Sequence, residues 1–138
     1  MIVLDTNVLS EGLRAQPSAN VLRWMQGVPI TALFTTTITE AELFYGAALL
    51  PAGRRRRSLE GVLAELLETR FSGRILPFDS AAARVFADIA AARRRAGRPI
   101  SEADARIAAI ARSRGAGLAT RNTDDFADCG VTLIDPWL

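Results

Sequence analysis

The 138-residue sequence contains no histidine and no lysine, and all 17 of its basic residues are arginine. The absence of histidine removes the commonest general base and the commonest transition-metal ligand. The absence of lysine excludes Schiff-base chemistry and a lysine-containing phosphate loop. The single cysteine, Cys129, can form neither an internal disulfide nor, by itself, a cysteine-rich zinc site. Carboxylate chemistry remains, either as paired acids of the glycosidase type or as oxygen ligands of a hard metal ion.

Long hydrophobic runs are also missing. No apolar stretch approaches the ~20 residues that a membrane helix needs, and the first residues lack the basic start and apolar run of a secretory signal. With 49% hydrophobic and 23% charged residues, the composition is that of a folded protein. We therefore expect one compact domain over residues 1–138, in the cytoplasm.

The net charge is only +2, so the distribution of charge matters more than its total. Arginines cluster at residues 54–57 and at residues 93–95 together with Arg98. We interpret both clusters as solvated helix faces, with phosphate binding as the alternative.

Apolar runs and helical spacings alternate along the chain. The pattern predicts five strands, at residues 2–4, 32–37, 74–78, 116–120 and 131–135. It predicts helices between them, at residues 6–13, 19–27, 38–50, 54–71, 80–95 and 102–114. This alternation predicts an α/β fold of three layers, in which a central, mainly parallel five-stranded sheet lies between helices. Ligands of such sheets bind at the carboxyl ends of the strands, so polar residues that follow strands are the candidates for a site.

Two candidate acids lie at the first strand and on the third helix. Asp5 directly follows the first strand, where an aspartate can also simply cap the next helix. Glu40 and Glu42 point to nearly opposite sides of their helix, because successive residues differ by about 100°. Glu42 shares a largely apolar stripe with Tyr45 and Leu49, which favours Glu42 but leaves Glu40 possible.

The last helix separates its acids more clearly. Glu102 aligns with Arg106, a spacing that suits a solvent-exposed ion pair. Asp104 projects from the face that should pack on the sheet, although it could also act with Ser101 in a capping box. A carboxylate on such a face is costly unless it is paired, protonated or bound to a cation. Oxygen ligands of this kind suit Mg²⁺ or Mn²⁺, and the implied chemistry is phosphodiester hydrolysis.

Four stretches together resemble a known family. They are "MIVLDTNVLS" at the start, "TITEAELFYGA" at residues 37–47, "SEADARIAAIA" at residues 101–111 and "LATRNTDDF…GVTLIDPW" at the end. Their order and spacing resemble PIN-domain proteins of the VapC and FitB type, the toxins of bacterial type II toxin–antitoxin systems. The resemblance extends over essentially the whole chain.

This resemblance implies a PIN-domain-like sandwich with an Mg²⁺-dependent site, in which Mn²⁺ can substitute, that cleaves single-stranded RNA. It also implies a homodimer, a higher toxin–antitoxin assembly, inhibition by a cognate antitoxin of the VapB or FitA kind, and no membrane association. Residue by residue, Asp5, Glu42 and Asp104 match the family's catalytic and metal-binding acids. Thr6 and Asn7 match the polar residues that support the site.

The fourth position of the site departs from the family's commonest pattern. Many relatives carry an acid at the third place of "T-R-D", where this chain has Asn122. Asn122 can still offer a neutral oxygen to a metal-bound water, while Asp124 or Asp125 can approach from the same loop.

Other acid-based sites fit less well. A response-regulator receiver needs a lysine, and a haloacid-dehalogenase-type phosphatase needs an aspartate where this chain has Asn7. A glycosidase would normally have a cleft richer in aromatic residues than one tyrosine and two tryptophans suggest. The remaining alternative is a PIN-like module that binds RNA or an antitoxin without efficient cleavage.

Overall fold

A computed structural model describes all 138 residues. It contains five strands, β1 (Ile2–Leu4), β2 (Leu33–Thr36), β3 (Ile75–Leu76), β4 (Gly117–Ala119) and β5 (Leu133–Ile134). The six α-helices are α1 (Thr6–Gly12), α2 (Ala19–Gln26), α3 (Thr37–Ala48), α4 (Arg54–Glu65), α5 (Ser80–Arg95) and α6 (Glu102–Ser113). Every predicted helix and strand is present. The predicted helix over residues 54–71 changes to π-helical geometry at Leu66–Arg70.

The sheet has the order β3-β2-β1-β4-β5, and all its strand pairs are parallel. The structure thus confirms the predicted five-stranded parallel sheet. The predicted third and fifth strands shorten to two residues each. Both are edge strands, so each has a hydrogen-bonding neighbour on one side only.

Two apolar clusters lie on opposite faces of the sheet. Val3 and Leu118 belong to the first, which also contains Ala82 and Ile89 of α5 and five buried residues of α6, from Ile107 to Ala111. The next residue of each strand, Leu4 or Ala119, points into the second, to which α1 and α2 contribute. Because successive side chains of a strand alternate between its faces, this pattern places helices on both sides of the sheet. The predicted three-layer arrangement is therefore confirmed.

The carboxyl ends of the central strands define where a site can form. The chain leaves β1 for β2 on one side, and β4 pairs with β1 on the other, so the strand order reverses at β1. Such a reversal opens a crevice between the loops that follow the adjacent strands. Asp5 follows β1, and the stretch "TRNTDDF" follows β4. No helix of the protein is both long and apolar enough to cross a bilayer.

Candidate functional site

Asp5 is a buried carboxylate between the ends of β1 and β4. Its residue is only 4% exposed, and its backbone N–H donates to the carbonyl of Ala119 at 2.9 Å. One carboxylate oxygen accepts from the N–H of Thr6 at 2.8 Å, which makes Asp5 the N-cap of α1. The other accepts from the hydroxyl of Thr120, also at 2.8 Å. The helix-capping role considered from the sequence is therefore real, and it leaves a buried acid at the crevice.

Burial raises the pKa of Asp5 from 3.8 to about 6. The hydrogen bonds from Thr120 and Thr6 lower the pKa, whereas the nearby carboxylates of Asp104 and Glu42 raise it further. Desolvation and like charge both disfavour the ionised form, and here they outweigh the two hydrogen bonds. Asp5 is therefore an acid whose charge the protein itself leaves only partly compensated.

Glu42 approaches Asp5 from α3, with Thr6 as the link between them. The hydroxyl of Thr6 lies 2.8 Å from Glu42 Oε1 and 3.1 Å from the hydroxyl of Thr39. Tyr45 and Leu49, two apolar residues on the stripe of Glu42, are 57% and 70% exposed, whereas Ile38 on the same stripe packs against the core. Glu42 itself is exposed, at the open side of the crevice.

Asp104 lies in the first turn of α6, half-buried. Burial raises its pKa, with further increases from the carboxylates of Asp125 and Glu42. The hydroxyl of Ser101 accepts from the N–H of Asp104 at 3.2 Å, so Ser101 caps the helix as the sequence suggested. Glu102 forms the predicted exposed ion pair with Arg106, at 3.2 Å.

The structure brings Asp5, Glu42 and Asp104 to one cleft of about 460 Å³. In this conformation no three acidic side chains are grouped closely enough to hold one cation together. The donor set nevertheless suits a hard divalent cation, because it consists of oxygen atoms only. Besides these acids, the cleft is lined by Thr6, Asn7, Ser10, Glu11, Arg14, Arg121, Asn122 and Trp137.

The loop after β4 contributes Asn122 to this cleft, whereas Asp124 and Asp125 are not among its lining residues. The N–H of Asn122 donates to the hydroxyl of Thr120 at 3.1 Å, the same hydroxyl that donates to Asp5. Asp125 still affects the site, because its charge raises the pKa of Asp104. Of the three candidates for the fourth position, Asn122 thus lies nearest the buried acid in the hydrogen-bond network.

Arg93 corrects the interpretation of its cluster as a solvated face. Its residue is only 7% exposed, and its guanidinium donates to the backbone carbonyls of Asp125 and Ala127 at 2.9 Å and of Arg98 at 2.7 Å. Arg93 therefore anchors the loop that follows Asn122. No sequence pattern predicts this role, since Arg93 stands in a run of three arginines at the end of a helix.

A larger cavity of about 740 Å³ lies on another part of the surface. Mainly apolar side chains line it, including those of Leu22, Ile30 and Val62, which are exposed to solvent. None of the three candidate acids is among its lining residues. Its chemistry suits a hydrophobic surface of a partner rather than a hydrolytic step.

Comparison with known proteins agrees with this geometry. The PIN domain model matches residues 2–131. A VapC ribonuclease of Sinorhizobium fredii is 43% identical over 137 residues, which cover 99% of this chain and 98% of the relative. The toxin FitB of Neisseria gonorrhoeae is 39% identical over 137 residues and 99% of both chains.

A solved structure of FitAB bound to a DNA fragment superposes with a TM-score of 0.93 at 38% sequence identity. The match covers 100% of this chain and 96% of the chain it is compared with. Both the sequence relatives and this structure thus match over nearly the full length.

Proposed function

Because this chain belongs to the PIN-domain family, we propose that it is the toxin of a type II toxin–antitoxin pair and a divalent-metal-dependent endoribonuclease. Its substrate is single-stranded RNA, in which it hydrolyses phosphodiester bonds. Relatives named as a VapC ribonuclease and as the toxin FitB support this proposal. Mg²⁺ is the proposed cofactor, and Mn²⁺ is its proposed substitute.

One observation carries the proposal: a buried acid at the reversal of the strand order lacks a cationic partner. Asp5 is 4% exposed, forms no ion pair, and has a pKa raised to about 6 beside Asp104 and Glu42. Such a carboxylate destabilises the fold unless a cation compensates its charge. A buried carboxylate that is ionised at neutral pH and has no cationic partner is a candidate ligand for a divalent cation.

Asp5, Glu42 and Asp104 are the residues that would hold the cation. When bound, the cation would lower the pKa of a water molecule and neutralise charge on the scissile phosphate. Thr6 orients Glu42 through the hydroxyl contact at 2.8 Å, and Thr120 orients Asp5 in the same way. Fixed side chains of this kind reduce the reorganisation that the reaction requires.

Two amides support the loop side of the cleft. Asn7 Oδ1 accepts from the N–H of Arg121 at 3.4 Å, which ties the start of α1 to the loop after β4. Asn122 lines the cleft and is proposed to contribute a neutral oxygen in place of a fourth acid. Asp124 and Asp125 then act through their charge rather than as ligands.

The test is cleavage of single-stranded RNA with Mg²⁺ or Mn²⁺ and with a chelator. We expect Asp5→Asn, Asp104→Asn and Glu42→Gln each to lower the rate at least about a hundredfold, since even outer-shell changes at metal sites cost 10–100-fold. Glu40→Gln is the matched control on α3, and we expect it to cleave like the wild type. Cleavage in chelator, or equal losses in Glu40→Gln and Glu42→Gln, would contradict the mechanism.

The same assay addresses the binding-module alternative. If the protein bound RNA or an antitoxin but cleaved no RNA under any metal condition, the enzymatic proposal would fail and the module would be favoured. A gain of toxicity in cells on expression, lost in Asp5→Asn at equal protein level, is the expected result for the toxin.

We also propose a small antitoxin as the partner, in the cytoplasm, bound to a toxin homodimer. The apolar cavity bordered by Leu22, Ile30 and Val62 supports a protein partner, because contiguous exposed apolar surface marks interaction sites. Co-purification with the product of a short neighbouring reading frame tests this. Val62→Glu should abolish the complex while leaving RNA cleavage intact, and an unaffected complex would exclude this cavity as the antitoxin surface.

A further inference from the structure

Basic and aromatic side chains also line the cleft that holds the acids. Arg14, Arg121 and Trp137 line the same 460 Å³ cleft as Asp5 and Asp104. We refer to Arg14, Arg121 and Trp137 together as the arginine–tryptophan rim. They come from the end of α1, from the loop after β4 and from the last residues of the chain.

Arg121 and Trp137 form a cation–π pair. The Cζ atom of Arg121 lies 5.1 Å from the centroid of the Trp137 ring. The backbone of Trp137 is fixed at both ends, since its N–H donates to Asp135 Oδ1 at 2.9 Å and its carbonyl accepts from Asn20 Nδ2 at 2.7 Å. A flat aromatic group is thus held at the edge of the cleft although it is the penultimate residue of the chain.

Glu11 lines the same cleft and holds Arg14. It is 5% exposed, and its carboxylate accepts from the N–H of Ser18 at 2.9 Å and from Nη1 of Arg14 at 3.2 Å. The Ser18 N–H chiefly, together with Arg14 and Arg121, holds the pKa of Glu11 below its ordinary value. Glu11 is therefore a fixed negative charge that pairs with Arg14 and also feels the positive charge of Arg121.

Arg121 has its charge available to a ligand. It takes part in none of the five ion pairs of the protein, and its residue is exposed. Arg14 uses one guanidinium nitrogen for Glu11 and is 65% exposed in its side chain. Guanidinium groups bind phosphate oxygens, and guanidinium or indole planes stack on nucleobases. The rim therefore offers both kinds of contact that a single strand presents.

We propose that the arginine–tryptophan rim is a nucleotide subsite next to the scissile phosphate. The base of that nucleotide stacks on the Arg121–Trp137 pair, and Arg14 binds its neighbouring phosphate. The inference rests on the proposed ribonuclease function, because it assigns further residues of the same cleft. It gives the acidic and the basic side chains of that cleft separate roles: the acids hold the metal ion, and the rim binds the substrate chain.

The first experiment separates stacking from folding. Trp137→Phe keeps an aromatic ring, whereas Trp137→Leu keeps apolar bulk without a ring. We expect Trp137→Leu to raise the KM for a short single-stranded RNA oligonucleotide about tenfold with little change in kcat, because stacking is worth 1–3 kcal/mol per base. Trp137→Phe should recover most of the affinity. Equal KM values for wild type and Trp137→Leu, or equal losses in both variants, would overturn the stacking role.

The second experiment measures binding without cleavage. In an Asp5→Asn background, the Kd for the labelled oligonucleotide is followed against salt concentration. We expect Arg14→Gln to reduce the slope of log Kd against log salt by about 0.7, the value for one phosphate contact on a single strand. Arg84→Gln, a change at an exposed arginine of α5 outside the cleft, is the matched control and should leave the slope unchanged. If Arg14→Gln left the slope unchanged as well, the proposed phosphate contact of Arg14 would be wrong.

A spectroscopic arm reports contact at Trp137 itself. The protein has two tryptophans, so Trp24→Phe isolates the emission of Trp137. We expect the oligonucleotide to quench that emission, and Arg121→Gln to weaken the binding that quenching reports. Emission unchanged at saturating RNA would overturn the proposal.

The outcomes distinguish this inference from the function on which it rests. If the wild type binds RNA at the rim but cleaves none, the enzymatic proposal fails and the subsite stands. If the wild type cleaves RNA and all rim variants keep its KM, Kd and emission, the subsite fails and the enzyme stands. If the rim variants weaken only the complex with an acidic antitoxin segment, the rim is a protein-binding surface and the proposal is wrong.

Discussion

Asp5 and Glu11 are carboxylates six positions apart, at the cap and near the end of the same helix, and they are 4% and 5% exposed. Their pKa values nevertheless shift in opposite directions. The pKa of Asp5 is raised to about 6, because burial and the charges of two neighbouring acids outweigh the effect of its hydrogen bonds. The pKa of Glu11 is lowered, because the hydrogen bond from the Ser18 N–H and the charges of two arginines outweigh the effect of burial.

The difference lies in which charges the fold supplies. Glu11 receives cationic partners from the protein, so its negative charge is part of the folded structure. The charged neighbours of Asp5 are other acids, so the protein itself does not compensate the negative charge of its carboxylate. Equal burial thus describes two opposite situations, and the surroundings of a buried acid, rather than its burial, indicate a candidate metal ligand.

The largest expected stability effect comes from Asp5→Asn in the presence of chelator. Because the folded-state pKa of Asp5 is raised, ionisation destabilises the fold as pH rises from about 4 to 6, and the loss is complete above 6. The neutral variant should therefore be more stable than the wild type at pH 8, by up to about 3 kcal/mol at ~1.4 kcal/mol per pKa unit. Denaturant unfolding at pH 4 and pH 8 measures this difference in the free energy of unfolding. We expect the two proteins to be nearly equally stable at pH 4.

Adding Mg²⁺ sharpens the same measurement. A cation that binds only the folded protein stabilises it, so the wild type should gain stability with Mg²⁺ and Asp5→Asn should gain little. If Asp5→Asn were less stable than the wild type at pH 8 in chelator, the charge of Asp5 would stabilise the fold as that of Glu11 does. The proposed difference between the two acids would then be wrong.

Glu11→Gln should show the opposite pH dependence with a smaller effect. The folded-state pKa of Glu11 is lowered, so its charge stabilises the protein above its ordinary value of 4.5, and the contribution is lost as pH falls through the folded pKa. We expect a lower Tm than that of the wild type at pH 7, and a difference that shrinks at low pH. Differential scanning calorimetry across that range checks it. A Tm difference that grew on acidification would show that Glu11 acts through something other than its charge.

The smallest effect concerns the fourth position of the cleft. Asn122→Asp adds a carboxylate beside Asp5, so metal binding should tighten about threefold while the metal-free protein becomes less stable, since added like charge favours the bound cation. Asn122→Ala and Asp125→Ala, compared side by side, show which side chain the reaction uses. We expect Asn122→Ala to lower metal-dependent cleavage more. A larger loss in Asp125→Ala would transfer the role to that acid.

Much of the fold could be predicted from local pattern. The strand after Met1, the cap at Ser101 and the alternation of helices with strands are short-range features, and all are present. Boundaries were less accurate at the edge strands, which depend on pairing. The separation of Glu102 from Asp104 also followed from helical spacing, because one residue pairs with Arg106 and the other faces the cleft.

Other features could not be read from spacing. Arg93 stands in a run of arginines, yet it is buried against the carbonyls of a loop 32 to 34 positions away. Tyr45 and Leu49 on the stripe of Glu42 are exposed. Helical periodicity could not predict this, because it identifies a face without saying what covers it.

The sequence by itself determined the chemistry that was possible: without histidine or lysine, carboxylates remained, either as paired acids or as oxygen ligands of a hard metal ion. It also determined the order of strands and helices, because hydrophobic periodicity is local. Only the tertiary structure decided which acids share a cleft, which of them lack cationic partners, and that "TRNTDDF" contributes both Arg121 and Asn122 to that cleft. Those properties depend on contacts between residues more than a hundred positions apart, such as Asp5 with Thr120.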